Sequence, residues 1–109
     1  MPNQVDPAIL PEPVLESLLS LCRRYRVRSL ALFGSAAGAA FDPATSDIDI
    51  LVEFEPMPPA EHMRMYFGLA EALEALFRRE VDLVELASVT NPYVLASILK
   101  SRVPLYASA

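Results

Sequence analysis

Three aspartates and a Gly-Ser turn are the residues in this chain whose types and spacing could do chemistry. Asp47 and Asp49 stand two apart in Asp47-Ile-Asp49-Ile-Leu-Val-Glu-Phe, a run of strand-forming residues. Side chains at i and i+2 of a strand point to the same face, so two carboxylates converge on one spot. Like charges held that close are tolerated by sharing a proton or by binding a divalent cation. A third carboxylate, Asp82, lies in Glu80-Val-Asp82-Leu-Val-Glu-Leu86, which reads as another strand. Upstream, the apolar run Leu30 to Phe33 stops at Gly34-Ser35. Glycine lets backbone approach a ligand closely there, and a short hydroxyl can donate to it. A helix starting at Ser35 would serve the same end, since free N–H groups at a helix start cap the chain and meet a phosphate alike. An all-oxygen carboxylate set beside a phosphate seat suits Mg²⁺ or Mn²⁺ and a substrate phosphate, hence phosphoryl or nucleotidyl transfer.

The elements that must position these groups follow from periodicity. Pro2, Pro7, Pro11 and Pro13 mark residues 1–10 as a flexible N-terminal tail ahead of a single domain over residues 11–109. From about Glu12 to Tyr25, Val14, Leu15, Leu18, Leu21, Cys22 and Tyr25 recur at helical spacing. Arg23, Arg24, Arg26 and Arg28 gather at the end of that helix, where cations suit its dipole; the functional alternative is a phosphate-binding or partner-binding patch. A first strand, about Arg28 to Phe33, is apolar on both faces beyond Ser29. In a second, about Asp47 to Glu55, Ile48, Ile50, Val52 and Phe54 form an apolar face and the aspartates share the other. A second helix, about Ala60 to Arg78, is expected to turn Met63, Tyr66, Phe67, Ala70, Leu73 and Leu76-Phe77 inward. A third strand spans Val81 to Leu86, Asn91-Pro92 opens a helix to about Ser101, and a short extended segment runs from Val103 to Tyr106.

Composition narrows the function. With 53% hydrophobic and 21% charged residues the chain is a globular protein rather than a disordered one. Its formal net charge of −5 argues against a long nucleic acid as partner and favours a basic protein surface. No apolar run is long enough to span a bilayer and no signal-peptide pattern opens the chain, which points to a cytoplasmic protein without a membrane partner. The single cysteine, Cys22, has no neighbour at zinc-ligand spacing. His62 reads as a surface residue without a nucleophile partner, Glu61, Glu71 and Glu74 as a wet helix face, and Glu53 and Glu55 as either a solvated edge or further ligands. Tyr93 and Tyr106 read as core or partner-facing side chains, either of which could accept a nucleotidyl group.

The order Gly34-Ser35, a loop, Asp47-x-Asp49 and the later strand aspartate Asp82 resembles the DNA polymerase beta superfamily of nucleotidyltransferases, over roughly Val27 to Tyr106. In size and flanking residues the chain is similar to the minimal, MNT-type members. The resemblance implies an α/β fold: a short mixed β-sheet with helices mainly on one face. It implies that Asp47, Asp49 and Asp82 are catalytic and hold Mg²⁺ or Mn²⁺, and that Gly34 and Ser35 hold the phosphates of ATP. It also implies a HEPN-type toxin as partner, with this chain as an antitoxin that adds AMP to a toxin tyrosine; self-association is left open. Relatives commonly carry arginines after Gly-Ser, where this chain has Ala36-Ala37-Gly38-Ala39-Ala40. One lost charge-assisted hydrogen bond costs ~1.5–3 kcal/mol, so the loop is that of a slow enzyme, of one completed by a partner's arginine, or of a binding-only antitoxin. Transfer to a small molecule such as an aminoglycoside normally needs a further substrate-binding domain.

Overall fold

In the computed structural model the described residues are 11–33 and 48–107. Gly34, Ser35 and Asp47 lie outside them, as does the tail expected over residues 1–10. The elements run in the order α1 (Glu12–Arg24), β1 (Val27–Phe33), β2 (Ile48–Phe54), α2 (Pro59–Phe77), β3 (Val81–Glu85), α3 (Pro92–Ser101) and β4 (Val103–Ala107), with a 3₁₀ turn at Leu86–Ser88 before α3. Each helix begins at a proline-containing first turn, where the missing N–H has no intrahelical partner to lose. α3 is capped as its sequence predicts: Asn91 Oδ1 accepts from Tyr93 N at 2.9 Å and Val94 N at 3.2 Å.

The four strands form one mixed sheet in the order β3-β2-β1-β4, with β1 antiparallel to both β2 and β4 and β2 parallel to β3. A parallel pair needs a long crossover, and α2 supplies it. This is the mixed α/β architecture expected from the sequence. The core lies on one face of the sheet, where Leu30, Leu32, Ile48, Ile50, Val52 and Leu83 meet Leu18 and Cys22 of α1 and Leu69 and Leu73 of α2. Burying each such aliphatic side chain contributes roughly 1.5–3 kcal/mol, so the alternate residues of β2 decide which way the strand faces.

Two details of the helices depart from the sequence reading. Met63 and Phe67, expected inside, are 62% and 63% exposed. α2 is apolar around most of its circumference, so periodicity alone could not choose its buried stripe. The stripe is set by Leu69 and Leu73, with Tyr66, Ala70, Leu76 and Phe77 at its margins. Gly68 belongs to the same choice, because a Cβ there would stand 2.6 Å from Cε1 of Tyr25. The missing side chain lets the ring at the end of α1 lie against α2.

Three of the four clustered arginines, Arg23, Arg24 and Arg26, have structural positions that cap or brace the fold. Arg23 and Arg24 occupy the last turn of α1, where the dipole favours cations. Arg26 adopts a left-handed conformation with φ 57°. Its guanidinium meets Glu55 at 3.5 Å and Glu61 at 2.9 Å, tying the start of β1 to the end of β2 and the first turn of α2. Glu61 is therefore a bracing residue rather than part of a merely wet face.

Candidate active site

Strand alternation carries Asp49 to the face opposite the core, because its neighbours Ile48 and Ile50 are both buried in the helix-covered cluster. Asp82 is placed likewise by Leu83, whose side chain enters that cluster. The parallel register then pairs Asp49 with Asp82. Neighbouring strands run about 4.8 Å apart, so the two carboxylates stand side by side on the face away from α1 and α2. Asp49 is half-buried and Asp82 exposed. On the other flank Asp49 is paired with Phe33, the last described residue before Gly34-Ser35.

The sheet thus brings together two of the three aspartates singled out in the sequence. Asp47 lies outside the described residues, as do Gly34 and Ser35. Among the described residues no group of three or more histidine, cysteine or acidic side chains is arranged to hold a metal ion.

Other acids that were open candidates are settled by distance and by partners. Glu53 is four residues along β2 from Asp49, about 13 Å away at strand rise, and its Oε1 accepts from Ser29 Oγ at 3.0 Å. Glu55 is the Arg26 partner already described. Cys22 is fully buried, and burial raises its thiol to about 12, so it is no nucleophile at neutral pH.

A second cluster at the far end of the β2/β3 pair was not legible in the sequence. His62 Nε2 contacts Glu85 Oε1 at 2.5 Å, and its ring lies 5.3 Å from that of Phe54. His62 is thus tied to β3 rather than standing alone on the surface. Nothing local could have signalled the pair, since its members are 23 residues apart, His62 in the first turn of α2 and Glu85 at the end of β3. Tyr66, one turn further along α2, donates its hydroxyl to Leu83 O at 2.6 Å. Burial, followed by the charges of Glu85 and then Asp82, holds its pKa above the ordinary tyrosine value.

Residues 15–105 match the profile of the nucleotidyltransferase domain. The chain belongs to the nucleotidyltransferase family. One relative, the Methanocaldococcus jannaschii protein MJ1379, provisionally named a protein adenylyltransferase, is 43% identical over 75 residues, covering 69% of this chain and 73% of its own. A solved structure provisionally described as a minimal nucleotidyltransferase superposes with a TM-score of 0.66 at 32% identity, over 83% of this chain and 87% of that one. The fold also matches an MNT antitoxin solved in complex with a tri-AMPylated HEPN toxin of Shewanella oneidensis, with a TM-score of 0.60 at 21% identity over 89% of this chain and 72% of that one. The chain is thus a minimal nucleotidyltransferase, and no helix among its described residues is long and apolar enough to cross a membrane.

Proposed function

We propose that this nucleotidyltransferase transfers AMP from ATP to a tyrosine of a HEPN-type partner toxin, with Mg²⁺ or Mn²⁺ as cofactor, and so acts as its antitoxin. The observation that carries the reading is the placing of Asp49 beside Asp82 by the parallel register, on the face that α1 and α2 leave open. The donor set fits a hard divalent cation, because every candidate ligand is a carboxylate oxygen. Asp49 and Asp82 would hold it together with Asp47. What the cation supplies when bound is positive charge at a triphosphate, which the acidic protein itself lacks.

The chain's own residues divide the remaining work. The Gly34-Ser35 turn would hold phosphate oxygens through backbone N–H groups and the serine hydroxyl. The buried alternate residues of β2 keep Asp49 on a rigid element, and Leu83 does the same for Asp82. The partner is supported by the complex of the structurally similar MNT antitoxin with an AMPylated HEPN toxin. It is supported too by the net charge of −5, which suits a basic protein surface better than a polynucleotide.

The deciding experiment incubates the chain with ATP, Mg²⁺ and its cognate HEPN-type toxin and follows intact mass. The toxin should gain AMP on a tyrosine, and Asp47→Asn with Asp49→Asn should abolish the gain while leaving the complex intact. A toxin whose mass never rises, yet which the double variant inhibits fully, would establish binding-only inhibition. The arginine-free residues Ala36-Ala37-Gly38-Ala39-Ala40 are the feature that favours that second reading.

A further inference from the structure

α3 leaves one aromatic side chain in a position that neither the core nor the carboxylate site uses. Tyr93 is 85% exposed, although its backbone is pinned by the Asn91 cap at the rigid start of α3. Its ring borders an open cavity of about 410 Å³ whose other walls are Phe33, Val94, Ser97, Ile98 and Ser101. Phe33 is the residue paired with Asp49 across the sheet. The phenol and the carboxylate site therefore flank the same side chain.

The chain has four tyrosines, and the other three are committed. The Tyr66 hydroxyl is bound to Leu83 O at 2.6 Å. Tyr25 lies against α2 at Gly68 with the Arg24 guanidinium 5.6 Å from its ring centre. Tyr106 is half-buried against the core from β4. Only Tyr93 presents a phenol to solvent beside the site.

We propose that Tyr93 is an intramolecular acceptor: the enzyme adenylylates its own Tyr93 when no partner tyrosine occupies the site. This rests on the adenylyltransferase reading above. In the step, Tyr93 Oη attacks the α-phosphorus of ATP and an Oη–P bond forms. The bond from that phosphorus to the oxygen bridging the β-phosphate breaks, its electron pair leaves on pyrophosphate, and the phenolic proton passes to solvent. The product is a phosphodiester at the mouth of the cavity, in the space a partner's tyrosine would have to enter, so the modified enzyme transfers more slowly to its partner.

The test uses the full chain, ATP and Mg²⁺, first alone and then with the partner toxin. Alone, the chain should gain one AMP unit, mapped by tandem mass spectrometry to Tyr93, with a rate constant that does not change on dilution. Tyr93→Phe should lose the label without a change in Tm, Asp49→Asn should lose it too, and Tyr106→Phe should keep it. A label that persists in Tyr93→Phe, or a rate that grows with protein concentration, overturns the proposal. An enzyme that stays unmodified when incubated alone, yet modifies the toxin when it is added, overturns it while sparing the adenylyltransferase reading. Transfer to neither overturns both.

Discussion

The two ends of the β2/β3 pair carry acids of the same kind in opposite arrangements. At the far end each glutamate meets a group that satisfies it: Glu53 meets Ser29, Glu55 meets Arg26 and Glu85 meets His62. At the near end the register sets one carboxylate beside another, Asp49 against Asp82. Like charges facing each other across a sheet are destabilising, whereas acid–base contacts are neutral or mildly stabilising. The far end is therefore arranged for the fold, and on the function proposed above the near end is arranged for a cation. Stability and function should separate along one pair of strands.

The largest expected effect is at the near end. Asp82→Asn should lower AMP transfer by about 10²–10³-fold, as removal of an electrostatic group from a reacting site does. Its stability should hold or rise by less than about 1 kcal/mol, because a repulsive pair becomes neutral. Transfer assays and thermal melts on one preparation check both halves, and a variant that loses stability instead would place Asp82 among the structural acids.

The next effect belongs to the far end and has the reverse signature. His62→Ala removes the Glu85 contact and the packing on Phe54, at a cost of about 1 kcal/mol because both side chains are partly solvated. Tm should fall by roughly 4–8 °C, while AMP transfer stays largely unchanged. Loss of transfer at unaltered Tm would erase the distinction between the ends.

Tyr66 lies between the two clusters and reports on both. Its hydroxyl is held above the ordinary value near 10 by burial, then Glu85, then Asp82. A raised folded-state value means that the unfolded chain loses its proton first. The contribution of Tyr66 is thus complete below about pH 10 and is lost as pH rises through the folded value. Tm should fall more steeply above pH 10 in the parent than in Tyr66→Phe. Asp82→Asn should bring the phenolate absorbance of Tyr66 in at lower pH, and an unmoved titration would put Asp82 too far away to matter.

The smallest effect is expected where α2 turns into β3. Arg78 ends α2 with φ 56° and ψ 41°, a left-handed conformation that strains any residue with a Cβ. Arg78→Gly should stabilise by roughly 0.5 kcal/mol after the greater chain entropy of glycine is offset. A rise in Tm with unchanged transfer would show that this turn delivers β3 without tuning Asp82.

Much of this was legible in the chain itself. Val14, Leu15, Leu18, Leu21, Cys22 and Tyr25 recur at helical spacing and all pack on the core. The alternation of Ile48, Ile50 and Val52 fixed the face of Asp49, because the buried face of a strand dictates the other. These are local patterns, read from the short periods of helices and strands. α2 was less legible: with apolar residues nearly all round, only the docking of Leu69 and Leu73 decided that Met63 and Phe67 face outward.

What tertiary structure alone decided are the contacts between segments far apart in sequence. No local pattern states that β2 and β3 are neighbours, parallel, and in the register that sets Asp82 beside Asp49. That register follows from α2 crossing the sheet and from Ile48, Ile50 and Val52 sharing one core with Leu83. The same crossing brings His62 to Glu85, and the turn after α1 brings Arg26 to Glu61. Residue type and spacing determined which side chains could act and which face each would take. Which of them meet was decided by burial of the shared apolar face, a property of the folded chain as a whole.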